Sequence, residues 1–336
     1  MTEPQSAHDI RFDMTLTAPI PYFGGKRKIA QKVWAYLGDV KTYIEPFFGS
    51  GAVLLMRPRT RHEKIYELIN DIDGNIANMW RALQFDIDEV EKWCDWPVNH
   101  IDLIARRKVI IESYDQLKNN LVADPEFYDA KLAGYYLWAA SCWLGCGLMT
   151  KKAIPVLSGD HGIEQYRSMG KIPGITSDSG IIAKQDTMKE YLLKIQQRIK
   201  KIKVVCGEWH QVCGGKWQEN NGVVGIYFDP PYSSEDRCKD VYKYDSLDVG
   251  KAVEKWALER GNNPAYRIVI SGYEGDYKNL IGSGWKVEAW VAWGGFSNMA
   301  IKKKRIKENR TLERIYISPY CINIAEEQAS LWVVEN

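Results

Sequence analysis

An apolar run of six residues, Val223-Val224-Gly225-Ile226-Tyr227-Phe228, stops abruptly at Asp229-Pro230-Pro231-Tyr232. A run of this length reads as a buried strand, and proline cannot continue it because the ring removes the ladder donor. The strand therefore sets a carboxylate, two rigid rings and an aromatic side chain at its carboxyl edge, where open α/β sheets bind ligands. The same pattern recurs along the chain. Thr42-Tyr43-Ile44 reads as a strand, Glu45–Val53 as a Gly-rich turn entering a helix, and Lys64–Ile69 as a second strand ending at Asn70-Asp71-Ile72-Asp73. Lys203–Cys206, Tyr266–Ser271, Trp285–Trp293 and Arg314–Ser318 complete the expected strands, with a helix over Lys251–Arg260. Strands alternating with helices at both ends predict one mostly parallel sheet.

Between these ends the pattern is helical, with apolar residues at helix spacing in Ile101–Tyr114, Leu132–Trp143 and Thr187–Ile202. Pro155–Gly180, with seven glycines and prolines and four serines, reads as a long exposed loop. The expected organisation is a sheet domain from residues 1–75 and 200–336, interrupted by an inserted region at 76–199. A chain of 336 residues suffices for this.

Composition narrows the class. Apolar residues make up 45% and charged residues 26%, as in ordinary globular proteins. No apolar stretch reaches the length of a membrane span. Glu3, Asp9 and Asp13 in an opening segment without an apolar core argue against a signal peptide, so a cytoplasmic location is expected. The seven cysteines and five histidines form no metal-ligand spacing, and no metal is expected. The net charge is only +2, but Lys302-Lys303-Lys304-Arg305 with Lys307 and Arg310 concentrates six cations in nine positions. Local cation density of this kind attracts a phosphate backbone. A second basic stretch, Lys194, Arg198, Lys200, Lys201 and Lys203, fits a solvated face as well as it fits DNA.

The Gly-rich turn lacks the ending of a phosphate-binding loop and a full dinucleotide fingerprint. Its glycines still let the backbone approach a ligand closely, and Asp71 at the next strand tip is placed to accept ribose hydroxyls. A nucleoside cofactor without a phosphate cradle favours S-adenosylmethionine. Lys26, directly after Gly24-Gly25, can meet a methionine carboxylate. Asp229 and the Pro230 carbonyl can each accept one N–H of an exocyclic amine, turning its lone pair out of the ring plane for attack on a methyl donor. Tyr232 supplies a stacking face. Catalysis of this kind rests on positioning and electrostatics.

Tyr22-Phe23-Gly24-Gly25-Lys26, Glu45-Pro46-Phe47-Phe48-Gly49-Ser50-Gly51-Ala52-Val53, Asn70-Asp71-Ile72-Asp73 and Asp229-Pro230-Pro231-Tyr232 resemble, in order, the motifs of Dam-type, D12-class DNA adenine-N6 methyltransferases. The look is that of phage or prophage members. The resemblance runs from about Pro19 to Pro319 and is thin in the middle. It implies a Rossmann-like S-adenosylmethionine-dependent methyltransferase sheet with an inserted, mainly helical target-recognition domain, acting on a flipped adenine in double-stranded DNA. It places Tyr22, Gly25 and Lys26 beside the methionine part of the cofactor, with Glu45, Phe47, Gly49 and Gly51 as the loop against it. Asp71 then holds the ribose, Glu208 lies near the cofactor adenine, and Asp229, Pro230, Pro231 and Tyr232 act on the target base, with Asp229 contacting the cofactor as well.

Cytosine-C5 methylation is disfavoured because the chain contains no Pro-Cys nucleophile motif. Asp229, in place of Asn or Ser, favours adenine over glutamine or cytosine-N4. Cytosine-N4 or RNA-adenine methylation and a non-catalytic nucleic-acid-binding module remain the alternatives. In the inserted region relatives carry Asn-Gly-Leu-aromatic-Arg-x-Asn, whereas this chain has Gly145-Cys146-Gly147-Leu148-Met149-Thr150. Without the arginine and asparagines that read bases, the recognition sequence does not carry over. Lys151, Lys152, Lys303, Lys304 and Arg305 are candidate phosphate contacts. A restriction partner is not readable from the sequence.

Overall fold

A computed structural model describes residues 16–21, 26–144, 148–149, 174–175, 180–215, 219, 222–231, 246–290 and 313–322. Its strands, in chain order, are β1 (Thr42–Glu45), β2 (Tyr66–Asp71), β3 (Trp143–Leu144), β4 (Gly174–Ile175), β5 (Lys203–Cys206), β6 (Val224–Phe228), β7 (Tyr266–Tyr273), β8 (Lys286–Ala289) and β9 (Glu313–Ile317). Seven form one sheet in the order β5-β2-β1-β6-β7-β9-β8. β5, β2, β1, β6 and β7 pair in parallel, while β9 runs antiparallel to both β7 and β8. The expected mixed α/β architecture with a mainly parallel sheet is present.

β6 is central, and all five of its residues are buried, as a strand covered on both faces requires. Alternation splits its side chains between two cores. Tyr227, with Tyr43, Ile69 and Val269, faces a layer containing α1 (Arg27–Leu37) and α3 (Gly74–Phe85), with Trp34 and Trp80 fully buried. Ile226 and Phe228, with Ile44, Ile268 and Ile270, face the other side, against Val253 and Ala257 of α9 (Ser246–Arg260).

The helices between β2 and β5 share in the sheet's core and add a small cluster of their own, Ala77, Leu117, Leu121 and Leu132 with Cys206 of β5. α4 (Ile87–Cys94), α6 (Ala130–Cys142) and α7 (Met188–Ile199) join the first core directly. α3 binds them through buried polar side chains that satisfy open helix ends. Gln84 donates to Ile199 O and Ile202 O at 2.8 Å. Arg81 donates to Leu121 O, Asp124 O and Phe127 O at the end of α5 (His100–Ala123), and to Val204 O of β5.

Two expectations need adjustment, and the length of one helix is newly defined. The helix entered from the Gly-rich turn, α2 (Ala52–Leu55), is a single turn, because Arg57 precedes Pro58 and that position disfavours helical backbone. The helical pattern through Trp143 ends at Cys142, since Trp143 and Leu144 pair with Ile175 and Gly174. That pairing makes Gly174–Ile175 a short strand within the expected Pro155–Gly180 loop, most of which lies outside the described residues.

Candidate active site at the carboxyl edge of the sheet

From β1 the chain passes to β2 on one side, while β6 flanks β1 on the other. Strand order reverses between β1 and β6, and their carboxyl ends flank the crevice where such sheets bind ligands. β1 delivers Glu45 and the turn to Gly51; β6 delivers Asp229, Pro230 and Pro231. The turn is tightly held. Gly49 N donates to Asp71 Oδ2 at 2.8 Å, and Gly49 O accepts from Trp80 Nε1 at 3.0 Å.

Gly51, at φ 71°, begins α2, and a Cβ there would stand 2.7 Å from Phe48 Cζ and 2.8 Å from Trp80 Cζ2. Gly51→Ala is therefore expected to cost about 1–3 kcal/mol from backbone strain before any steric penalty. A drop in the denaturant midpoint measures it, and an unchanged midpoint would contradict this account.

Lys26, at the amino end of α1, is almost fully buried, and its Nζ lies 3.3 Å from Asp229 Oδ1 and 4.0 Å from Glu313 Oε2. The Trp290 ring covers the same ammonium at 5.4 Å, a cation–π distance. Glu45 is buried and accepts from Tyr43 OH at 2.8 Å. Burial pushes its carboxyl well above the usual range; the Tyr43 hydrogen bond opposes this, and the Asp229 and Asp71 charges add to it. Glu313 is raised likewise, first by burial, with Lys26 opposing and Asp229 reinforcing.

Asp71 ends β2, and its Oδ1 accepts from Asp73 N at 2.9 Å. Burial, followed by the charge of Asp73, raises its carboxyl to about 7 against those amide bonds and Lys118. Asp73 caps α3 by accepting from Asn75 N at 2.9 Å. Asn70 donates to Pro46 O and Gly207 O at 3.0 Å, tying the loops after β1 and β5 together. Beside them Phe47, Trp209 and Phe228 form an aromatic group with centroids 5.9–6.3 Å apart.

The structure thus places Lys26, Glu45, Phe47, Gly49, Gly51, Asp71, Asp229, Pro230 and Pro231 at the β1–β6 edge and its β2 neighbour. Glu208 is exposed directly after β5, at the N-cap of α8 (Trp209–Cys213). Tyr22, Gly25 and Tyr232 lie outside the described residues, as do Lys151, Lys152, Lys303, Lys304 and Arg305. In the second basic stretch Lys194, Lys200, Lys201 and Lys203 are exposed, but Arg198 is bound to Glu67. Sequence reasoning missed Glu313 and Trp290. The available signal was a glutamate immediately before an apolar strand. Among the described residues no cluster of side chains could hold a metal ion, and no helix is long and apolar enough to cross a membrane.

Residues 22–131 match the family model described as D12 class N6 adenine-specific DNA methyltransferase. The match is confined to that part of the chain and is a similarity to this family. It is also 21% identical, over 287 residues, to the Type II methyltransferase M.MjaIII of Methanocaldococcus jannaschii, covering 81% of this chain and 90% of that protein. Neither match speaks for a phage or prophage origin. Together they support DNA adenine methylation, and a D12-class domain implies a methyl donor and DNA as substrate.

Proposed function

We propose that the protein transfers a methyl group from S-adenosylmethionine to the N6 amine of an adenine flipped out of double-stranded DNA. The observation carrying this reading is Asp229-Pro230 at the end of β6, beside the Gly49–Gly51 turn and ion-paired with Lys26. The residues suit the cofactor. The carboxyl groups of Glu45, Asp71, Asp229 and Glu313 give the edge polar oxygens that can accept hydrogen bonds from a ligand. The turn offers close backbone approach, and Lys26 offers a partner for a carboxylate. When bound, S-adenosylmethionine supplies an electrophilic methyl on a sulfonium centre.

In this reading Lys26, Glu45, Phe47, Gly49, Gly51, Asp71 and Glu208 line the cofactor side, extended by Tyr22 and Gly25. The Asp229 carboxylate and Pro230 carbonyl accept the two N–H groups of the target amine, so that its lone pair leaves the ring plane. Preorganised acceptors of this kind need no rearrangement during reaction. Tyr232 stacks on the base and Pro231 stiffens the turn. Residues 76–199 supply target recognition, with Lys151, Lys152, Lys303, Lys304 and Arg305 on phosphates. Because the relative is a Type II methyltransferase, restriction-modification is the context this reading favours.

The test is incubation with S-adenosylmethionine and unmethylated DNA, followed by digestion to nucleosides and mass identification. N6-methyldeoxyadenosine is expected; N4-methyldeoxycytidine or no methylated base would overturn the reading.

Asp71 adds a pH dependence. Ribose hydroxyls donate to its ionised form, whereas the free protein raises its carboxyl to about 7. Cofactor affinity is thus expected to strengthen as pH rises from about 6 to about 8, and Asp71→Asn to remove that slope in calorimetric titrations. In the free protein the linkage has the opposite sign. The stability contributed by Asp71 is full below its ordinary value of 3.8 and lost as pH rises through about 7.

A further inference from the structure

Glu313 reaches the site through strand direction. β9 is antiparallel to β7 and pairs Glu313 with Tyr273, so the first residue of β9 stands at the carboxyl edge of the parallel strands. Its side chain is buried, and Oε2 has no hydrogen-bond partner. Such an atom is costly unless something compensates it. The compensating charge is Lys26, 4.0 Å away, which also stands 3.3 Å from Asp229 Oδ1. Trp290 closes a third side. Its N donates to Glu313 O at 3.1 Å, its ring covers Lys26, and its Nε1 is likewise buried without a partner. Lys26 therefore sits in a cradle of two carboxylates and an indole.

We infer that Glu313 is a positioning residue for methyl transfer: it shares the Lys26 ammonium with Asp229 and so sets where the Asp229 carboxylate lies. This rests on the methylation reading above. With both carboxylates pulling, Lys26 is held between them, and Asp229 keeps acceptor capacity for the target amine. Removing the charge at Glu313 leaves Lys26 to collapse onto Asp229. The carboxylate is then drawn away from the amine, while Lys26, already 3.3 Å from Asp229, shifts little and the Gly49–Asp71 bond that holds the turn stays in place.

The experiment compares wild type, Glu313→Gln, Lys26→Met and the double variant in single-turnover methylation of mixed-sequence unmethylated DNA. Binding of S-adenosylmethionine and of DNA is measured separately. Glu313→Gln is expected to slow transfer by up to about 10²-fold, with both dissociation constants within about twofold of wild type. The double variant should be no slower than Lys26→Met, because the glutamate acts through the lysine, and Glu313→Asp should recover part of the loss. Additive losses, an unchanged rate, or a loss of cofactor affinity matching the loss of rate would overturn the inference. If wild type makes no methyladenine, the methylation reading fails separately. Denaturant unfolding of the same four proteins then tests the pair itself: coupled stabilities keep Glu313 as the partner of Lys26, and additive ones remove it.

Discussion

Asp229→Ala is expected to lower the single-turnover rate of methyl transfer by about 10²–10³-fold, the usual cost of deleting one preorganised group that stabilises developing charge. Asp229 follows β6 and is partly exposed, so the strand and its two cores do not depend on its side chain. Pro230, whose carbonyl is the proposed second acceptor, remains in place, which leaves residual transfer. Loss of Asp229 also leaves Glu313, at 4.0 Å, as a carboxylate partner for Lys26, so the lysine stays charge-compensated and the fold intact. Rapid-quench measurement at saturating cofactor reads the rate, and calorimetry reads cofactor binding. A rate loss with unchanged cofactor affinity assigns Asp229 to the target amine. An equal loss in affinity would instead make it a cofactor contact.

Glu67→Ala should destabilise the fold by roughly 3–5 kcal/mol, as expected when one partner of a buried ion pair is removed. Glu67 Oε1 is 2.9 Å from Arg57 Nη1 and 2.8 Å from Arg198 Nη2, and Arg198 Nη1 reaches Oε2 at 2.8 Å. Without the carboxylate two guanidinium groups face each other in the interior. Arg57 also donates to Val40 O, and Arg198 to Leu54 O, so the network braces the entrance to β1 and the end of α2. These contacts flank the Gly-rich turn between β1 and α2. Burial alone would raise the Glu67 carboxyl, but the Arg198 and Arg57 hydrogen bonds and charges outweigh it and hold the group below its ordinary 4.5. A depressed carboxyl contributes stability that is present above 4.5 and lost as pH falls through its folded value. Denaturant midpoints of wild type should therefore fall with acid below about 4.5, and Glu67→Gln should show a weaker acid slope as well as a lower midpoint. Equal slopes would separate Glu67 from acid unfolding.

Arg198 shows how far a linear reading reaches. Within a basic stretch it looks like its exposed neighbours Lys194 and Lys200, yet its guanidinium closes on Glu67, which is 131 residues away. Nothing in the local pattern marks that difference, because the partner is brought in by the packing of α7 against α3 and α4. The strands were legible because burial on two faces leaves continuous apolar runs, as in Val224–Phe228. The length of α2 was not read from the pattern, although the proline that stops it lies three residues beyond its end.

The sequence by itself determined the alternating strands and helices, the Gly-rich turn after β1 and the carboxylate and prolines after β6. Each follows from local chemistry: apolar runs, glycine freedom and proline's missing donor. Tertiary structure alone decided which of these ends share an edge and what stands between them. Packing of α1 against β6 and β7 brings Lys26 to Asp229. The antiparallel insertion of β9 turns the start of a strand, Glu313, toward an edge otherwise built from strand ends. A residue's face and its element can be read from its neighbours in the chain. The direction in which a strand enters the sheet depends on pairing with strands far away, and that direction placed the second carboxylate beside Lys26.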